Sequence, residues 1–429
     1  MFPFFQSTQY RLSASILLPL LLISACSNDE PAVLSEDNTS TTETSGAVVY
    51  EGARLIIGDG SPAIENGIFV VEEGVFQLVG PAASVSLPAD ARRVDLSGMT
   101  VMPAIIDTHT HLNIERAALL EDLRLRTVYG VSAALSMGRD FGETPFQIQQ
   151  QNMPGTARYF TAGRGITSPE PGRSEDPHWV SSEEEARAAV REEAALGVDI
   201  IKIWVDDRDG QYEKLSEALY NAVIDEAWDQ NLRVTAHIYN LEDAKGLLRA
   251  GVSSFAHGVR DLPVDEEFIR MMKARPYVVL VPNMNERGVI NDLSWLAGTM
   301  PDSELQALQA AQREDAQAQA AYALQAANLA VLNEAGVTIA LGTDGNTPWG
   351  PHLEMEDMVL AGMSPMQVIS AATANAADFL ELDNMGSIMA GKKADFIVLD
   401  ANPLDDITNT RRIREVYIDG LLIERGAVD

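Results

Sequence analysis

The middle of the chain alternates short apolar runs with longer stretches of helical periodicity. Helical patterns cover residues 183–196 and 216–230, and the Ala/Gln-rich segment 303–335 is interpreted as one long helix. The apolar runs have the length and composition of buried strands. They cover residues 100–106, 131–135, 158–162, 198–205, 233–238, 252–256, 277–281 and 337–341. Strands joined in this way by crossover helices predict an α/β fold, a (β/α)8 TIM barrel over residues 101–385. A doubly wound open sheet is the competing architecture, but no G-x-G-x-x-G follows the first strand.

Short β-type runs broken by Gly and Pro flank this central region on both sides. Before it they cover residues 53–57, 67–71 and 75–79, and after it residues 394–399, 416–418 and 421–423. The two sets predict one small composite β-sandwich domain, built from residues 47–100 and 386–429.

The start of the chain has the pattern of an export signal. An apolar run over residues 12–23 follows Arg11 and is shorter than the about 20 residues that span a bilayer. It ends at Ile23-Ser24-Ala25-Cys26, which resembles the lipobox of bacterial lipoproteins. The resemblance implies a signal peptide over residues 1–25 and lipid on Cys26. An ordinary secretory signal with a coincidental cysteine is the alternative.

Residues 26–46 are rich in Ser, Thr, Asp and Glu and are expected to form a flexible tether, because they offer too little apolar surface to fold. Ser27, rather than Asp, follows the cysteine. In Gram-negative lipoproteins that pattern implies the periplasmic side of the outer membrane or the cell surface.

Charge and cysteine content exclude some classes of partner and of metal site. Asp and Glu number 63 against 31 Lys and Arg, a formal net charge of −32, which argues against nucleic acid as a partner. Cys26 is the only cysteine, so neither a disulfide framework nor a cysteine-built metal site can form within the chain. We therefore expect no nucleic-acid partner and membrane contact through the lipid anchor only, in a chain compatible with a homo-oligomer; the small-molecule substrate is implied by the family resemblance described below.

Polar residues stand at the ends of several predicted strands, where barrel enzymes carry their active sites. His109 and His111 end the first strand, and strand alternation directs both imidazoles to the same side. Such a pair is either a metal site or two histidines bound to backbone carbonyls. Lys202 lies inside the apolar run of the fourth strand, where a lysine needs a partner unless it snorkels to solvent. His237, His257 and Asp344 end the fifth, sixth and eighth strands.

The order of these residues along the chain resembles the amidohydrolase superfamily, and the resemblance covers nearly all of residues 48–425. Residues 101–107, before the first histidine pair, and the closing segments 386–388 and 391–396 also match the pattern of the family. One departure is Ala104, where the family usually has glycine.

The surrounding sequence is most similar to the imidazolonepropionase-like or prolidase-like branch of the superfamily. Residues 157–164 and 342–351 carry that similarity. Residues 169–172 depart from the glycine-and-histidine run that many prolidase-like members have at this place.

The resemblance implies a binuclear centre of two divalent metal ions, usually zinc. His109, His111 and Asp344 would hold one ion, His237 and His257 the other, and Lys202 would bridge them as a carbamate formed with carbon dioxide. Metal-activated hydroxide would then attack the substrate, with Asp344 as the catalytic base.

The resemblance also favours hydrolysis of an amide, peptide or ester bond over deamination. Asn240 stands where mononuclear deaminases have glutamate. The branch includes enzymes that cleave Xaa-Pro dipeptides and N-acyl amino acids, and such amides are the expected substrates. The alternatives are hydrolysis of lactones or phosphotriesters on the same centre, or a non-catalytic ligand-binding lipoprotein.

Three further residues are candidate substrate contacts. Tyr239 lies two residues after His237, and Arg260 lies three after His257, so together they could hold a substrate carboxylate. The alternative is that Arg260 pairs with Asp261 at the surface. His352, shortly after Asp344, is the third, whereas His178 is expected to be a surface residue.

Overall fold

The computed structural model describes residues 46–82, 87–88, 90–151 and 153–426. The predicted signal peptide and Cys26 lie outside the described residues, so their assignment stays a prediction. Within the described ranges no helix is both long enough and apolar enough to cross a bilayer.

The elements are numbered in chain order. The strands are β1 Val48–Leu55, β2 Ile64–Glu72, β3 Val75–Pro81, β4 Arg92–Asp95, β5 Thr100–Pro103, β6 Ile105–Thr110, β7 Val131–Ser136, β8 Arg158–Thr161, β9 Ile166–Thr167, β10 His178–Trp179, β11 Ile201–Val205, β12 Val234–Ile238, β13 Ser254–Ala256, β14 Val279–Val281, β15 Thr338–Ile339, β16 Phe396–Leu399, β17 Ile413–Ile418 and β18 Leu421–Leu422. The helices are α1 Arg116–Val128, α2 Thr144–Gln149, α3 Glu183–Leu196, α4 Glu217–Asp229, α5 Leu241–Ala250, α6 Glu266–Lys273, α7 Asp302–Ala311, α8 Ala316–Glu334, α9 Gly350–Leu360, α10 Pro365–Ala372 and α11 Ala374–Phe379.

The first and last strands of the described chain share one mixed sheet. Its order is β18-β17-β16-β5-β1-β2-β3, with β4 beside β1, and β5 pairs antiparallel with β16. Stacked and edge-on aromatic rings fill its core, with Tyr50 against Phe69 and Phe396 against Tyr417. These strands form one continuous hydrogen-bonded sheet, and the sequence had indicated a sandwich.

The central strands form two parallel sheets. One has the order β6-β7-β8, and the other β10-β9-β11-β12-β13-β14-β15, so from β11 onward the spatial order follows the chain. Backbone hydrogen bonds join the two sheets at both ends. Thr108 N–H donates to Leu341 at 3.0 Å, and Asp199 N–H donates to Thr161 at 2.9 Å. The carboxyl ends of β6, β11, β12 and β13 therefore lie along connected sheet edges.

The predicted strand 100–106 divides at Ala104. The Ala104 N–H bonds Asp395, whereas the next N–H, of Ile105, bonds Gly130. The chain thus changes partners within two residues, leaving β5 in the mixed sheet and β6 in the parallel one. Apolar periodicity could not show this break, because both halves are fully buried.

The predicted helix 303–335 is also wrong as a single element. Helix α7 ends at Ala311 and α8 begins at Ala316, where the Asp315 side chain accepts hydrogen bonds from the N–H groups of Gln317 and Ala318. An aspartate that can cap a new helix was the sequence signal for this break.

Candidate active site

Four residues at the ends of parallel strands form the histidine–aspartate cluster, which consists of His109, His111, His257 and Asp344. Nε2 of His111 lies 3.0 Å from Oδ1 of Asp344, and Nε2 of His109 lies 3.1 Å from the same oxygen. Nε2 of His257 lies 3.6 Å from Oδ2. The ligand atoms of His109, His111 and Asp344 all fall within 4.8 Å of one another, which is close enough to share one metal ion.

His237, on the neighbouring strand β12, lies beside this cluster. Its ring centroid is 4.6 Å from that of His257. Nε2 of His237 lies 3.0 Å from Oδ2 of Asp206 and 3.2 Å from Nη1 of Arg208. The structure therefore brings His237 to the predicted place, but with its ring nitrogen held by a carboxylate.

Lys202 on β11 is buried, being 1% exposed, and its Nζ has no hydrogen-bond partner among the described residues. The ammonium group lies 5.4 Å from the centre of the Trp204 ring. Burial lowers the pKa of Lys202 to about 7, although Asp344 opposes the shift. A substantial fraction of this side chain is thus a neutral amine near neutral pH.

His109, His237 and His257 are neutral at pH 7. Burial, with the charge of Lys202 added, lowers the pKa of His109 to about 3, and burial lowers the pKa of His237 to about 4. Burial also holds the pKa of His257 well below its usual range. Burial would raise the pKa of Asp344, but the neighbouring His257 and His109 outweigh it and keep the carboxyl ionised. Neutral imidazoles and a carboxylate are the protonation states that bind metal.

Two residues of the cluster have strained backbones. His257 has φ 83° and Asp344 has φ 56°, both in the left-handed region that side chains other than glycine rarely occupy. Such conformations persist where the surrounding structure imposes them, and they concentrate at functional sites.

A divalent ion fits this donor set. Nε2 of His109, which lies 3.1 Å from the Asp344 carboxylate, and Nζ of Lys202 are buried without hydrogen-bond partners among the described residues. Buried polar atoms are normally paired, so an unpaired group of nitrogen donors around a carboxylate indicates a ligand that completes it. His109, His111 and Asp344 are the residues that could hold the ion directly.

Sequence reasoning missed Asp206 and Arg208. Arg208 donates to Asp206 at 2.6 Å and to Glu170 at 3.0 Å, so the carboxylate facing His237 belongs to a buried ionic network. Hydrogen bonds from His237 and from the Arg208 N–H outweigh burial and lower the pKa of Asp206. The signal was strand alternation, since Lys202, Trp204 and Asp206 are spaced two residues apart.

Asp107 makes hydrogen bonds to two segments that carry residues of the cluster. It accepts hydrogen bonds from the Thr343 hydroxyl at 2.8 Å and from the His109 N–H at 3.2 Å. Burial raises the pKa of Asp107 to about 6, while Arg126 opposes the shift. Asp107 thereby ties β6 to the loop that carries Asp344.

Tyr239 and Arg260 lie together beside the cluster. The Arg260 N–H donates to the Tyr239 carbonyl at 2.9 Å, and Tyr239 is 38% exposed. Nε of Arg260 is buried without a hydrogen-bond partner among the described residues. Asp261 instead accepts from Asn240 and from the Leu241 N–H, so the surface pairing of Arg260 with Asp261 does not occur.

The structure does not bring His352 to the cluster. It is buried in α9, with Nδ1 3.0 Å from the Thr410 hydroxyl and Nε2 2.9 Å from the Tyr129 carbonyl. Both ring nitrogens are engaged inside the protein, so its surroundings do not support the predicted substrate contact.

His178 is partly buried, not a free surface residue. Its Nε2 lies 2.6 Å from Oε1 of the buried Glu193. Glu193 also accepts the Arg164 N–H at 3.1 Å, so this pair fastens the loop after β8 to α3.

Comparison with known proteins shows what the chain is similar to. The sequence model of the family described as "Amidohydrolase family" matches residues 100–423. Ochratoxinase from Aspergillus niger is 27% identical over 437 residues, covering 86% of this chain and 84% of that protein. Imidazolonepropionase from Deinococcus radiodurans is 25% identical over 400 residues, covering 83% of this chain and 92% of that protein. The solved structure of a candidate prolidase from Bifidobacterium longum superposes with a TM-score of 0.75 at 27% identity, covering 90% of this chain and 96% of that one.

Proposed function

The chain belongs to the amidohydrolase family of hydrolases, and we propose that it is a metal-dependent enzyme cleaving C–N bonds of small substrates such as Xaa-Pro dipeptides or N-acyl amino acids. The observation that carries the proposal is the cluster of His109, His111 and Asp344 within 4.8 Å, beside a buried lysine without a partner.

We interpret the two parallel sheets as parts of one (β/α)8 barrel over residues 101–385. The backbone hydrogen bonds at Thr108 and Asp199, which join the sheets at both ends, support this interpretation. The pairing of β5 with β16 likewise supports a composite β domain of residues 47–100 and 386–429.

We assign His109, His111 and Asp344 to one metal ion and His237 and His257 to a second. For the second, His237 has to exchange its contact with Asp206. Lys202 would bridge the two ions as a carbamate, in which the neutral amine bonds to the carbon of carbon dioxide and releases a proton. Burial without a partner favours this reaction, because it keeps part of the amine neutral and able to attack carbon dioxide, and the product would be an anionic metal ligand.

Divalent ions, zinc being usual in the family, supply Lewis-acid activation of water and of the scissile carbonyl when bound. The Asp344 carboxylate would accept the proton from water and pass it to the leaving nitrogen. Asp344 is suited to this role because it is ionised and 39% exposed, while the histidines around it are buried or partly buried.

Arg260 and Tyr239 would hold the carboxylate of the substrate. A guanidinium whose Nε is buried without a partner is ready to pair with an anion. Substrates with a free C-terminal carboxylate should therefore be preferred over their amidated forms, by about 2 to 4 kcal/mol in kcat/KM.

The test is a hydrolysis screen of the metal-loaded protein against dipeptides, N-acyl amino acids and their amides, with lactones and phosphotriesters included. We expect cleavage of the free acids, with the preference abolished in Arg260→Met. Equal cleavage of acids and amides removes the carboxylate contact and favours the lactone or phosphotriester alternative. Binding of these compounds without any turnover would indicate a non-catalytic lipoprotein.

We also propose that the chain is a lipoprotein anchored through Cys26 at the periplasmic side of the outer membrane or the cell surface. The lipobox-like Ile23-Ser24-Ala25-Cys26 supports this. Cys26→Ala should move the protein from the membrane to the soluble fraction without changing its turnover. Equal membrane fractions for both forms would refute lipidation at this residue.

A further inference from the structure

Arg208, in the loop between β11 and α4, contacts His237, which we assign to the second metal ion. Nη1 of Arg208 lies 3.2 Å from Nε2 of His237 and donates to Oδ2 of Asp206 at 2.6 Å. Nε of Arg208 donates to Glu170 at 3.0 Å. Two carboxylates thus hold the guanidinium beside the imidazole, and the Arg208 side chain is only 14% exposed.

The loop is shaped to keep Arg208 in this place. The Arg208 N–H donates to Oδ1 of Asp206 at 2.9 Å, so the backbone and the side chain of Arg208 bind the same carboxylate. The φ of Arg208 is 53°, in the left-handed region that side chains other than glycine rarely occupy. Such a conformation persists where the surrounding contacts impose it, so the position of the guanidinium is built into the loop.

These contacts occupy the ring nitrogen that a metal ion would need. Nε2 of a neutral histidine carries either a lone pair or a proton. The lone pair would accept a hydrogen bond from Arg208, whereas the proton would be donated to Asp206. In both tautomers Nε2 of His237 already has a partner, and a metal ion has to replace that partner.

The ligands of the first ion have different surroundings. Nε2 of His109 and Nε2 of His111 face Oδ1 of Asp344 at 3.1 and 3.0 Å. In the described ranges, histidine nitrogens alone form ion pairs with this carboxylate. A first ion therefore meets an anion without displacing an arginine, whereas a second ion at His237 has to displace Arg208.

The guanidinium and a divalent ion exclude each other at His237, because both are positively charged and both bind the same nitrogen. The charge of Arg208 also acts on Lys202. Burial lowers the pKa of Lys202 to about 7, and Arg208 adds to this shift while Asp344 opposes it. Displacement of Arg208 thus changes the surroundings of the histidine and of the lysine that we assign to the second ion.

We propose that Arg208 competes with the second metal ion for His237, so that the two ions bind unequally. The ion on His109, His111 and Asp344 binds first, and the second binds only at a higher concentration of free metal, which displaces Arg208. The inference rests on the proposed function and names a regulation of the same site, because the complete centre then forms only where divalent metal is abundant.

The test is a zinc titration of the full chain after its metal has been removed with a chelator. Calorimetry in a bicarbonate buffer, which supplies carbon dioxide, measures the affinity of each ion. In wild type the second ion should bind about tenfold or more weakly than the first. Arg208→Gln keeps a side-chain amide but removes the charge, and it should strengthen the second ion about tenfold or more while leaving the first unchanged.

Arg173→Gln is the matched control. Arg173 also pairs with Glu170, at 2.5 Å, but it is 46% exposed and its ion pair in the described ranges is with Glu170. It should leave both affinities unchanged. A general gain in negative charge would strengthen both ions, whereas removal of a competitor strengthens the second ion alone and only in Arg208→Gln. Arg208→Lys, which keeps the charge, should leave the second ion weak.

Equal affinity of the two ions in wild type would overturn the inference without the use of any variant. The same shift in Arg208→Gln and Arg173→Gln would also overturn it, and so would a single bound ion in both wild type and Arg208→Gln. The titration does not depend on turnover. Unequal binding that depends on Arg208, in a protein that hydrolyses none of the screened amides, would therefore contradict the proposed function and support the competition.

Discussion

Two buried histidine environments in this molecule differ in how their ring nitrogens are satisfied. His109 and His257, in the histidine–aspartate cluster, each have an Nδ1 without a partner among the described residues, and His257 has a strained backbone. His352 is equally buried, but the Thr410 hydroxyl and the Tyr129 carbonyl occupy both of its nitrogens. The two environments are therefore alike in burial and differ in whether the buried ring nitrogens are paired.

Lys202 and Lys245 differ in the same way. Lys202 is buried with an unpaired Nζ, whereas Lys245 is 3% exposed and binds Asp265 at 2.6 Å and Glu242 at 2.9 Å. Burying an unpaired lysine amine, as at Lys202, costs free energy that another interaction has to offset.

The largest effect is expected from Asp344→Asn. An amide cannot accept the proton from water, so turnover should fall about a hundredfold or more while the fold is kept. Steady-state kinetics and circular dichroism measure the two quantities. Near-wild-type turnover with an unchanged pH profile would contradict Asp344 as the base.

Lys202→Ala should lose at least one of two bound divalent ions, because it removes the proposed bridging ligand. Elemental analysis of the purified protein measures the metal content. Lys245→Ala is the control and should keep both ions, since its partners are surface carboxylates. Full metal content and activity in Lys202→Ala would remove the carbamate from the proposal.

His352→Leu should reduce the free energy of unfolding by about 2 kcal/mol, because it leaves the Tyr129 carbonyl without its partner. Metal content and kcat/KM of the folded protein should not change. Urea denaturation and kinetics test this together. A tenfold loss of kcat/KM at unchanged stability would instead restore His352 as a substrate contact.

The same histidine should also make the stability depend on pH. Burial lowers the pKa of His352 from 6.5 to about 4, so between these values the unfolded chain binds more protons than the folded one. Its contribution is fully present above pH 6.5 and is lost as the pH falls toward 4, with a slope of at most about 1.4 kcal/mol per pH unit. The unfolding free energy of His352→Leu should fall less steeply over this range than that of wild type. Identical slopes would show that His352 is not buried as the neutral form.

Much of the architecture could be read from apolar periodicity. The predicted strand 131–135 and helix 183–196 correspond to β7 and α3. Each segment has a single apolar pattern that starts and stops clearly in the sequence. The predicted strand 100–106 failed because a change of hydrogen-bond partner at Ala104 leaves the apolar pattern unchanged. The family resemblance, drawn from the order of His109, Lys202 and Asp344, was confirmed by the family match.

Asn283 shows what the sequence could not reveal about the site. Nothing in its neighbours distinguishes it from an ordinary asparagine after a strand. Its side-chain amide has no hydrogen-bond partner among the described residues, and that is a property of its folded surroundings, which include Gly342, distant in the chain.

The local pattern was enough to specify which residue types could carry the chemistry and at which strand ends they stand, because strand and helix periods depend on neighbouring residues. Which of those groups are paired depended on packing between distant segments. In the sequence, His352 is a candidate substrate contact and His257 a candidate metal ligand, and nothing local shows which of them has its ring nitrogens paired. They separate in the folded chain because Tyr129 and Thr410 satisfy the first, whereas the second meets the Asp344 carboxylate and keeps Nδ1 unpaired.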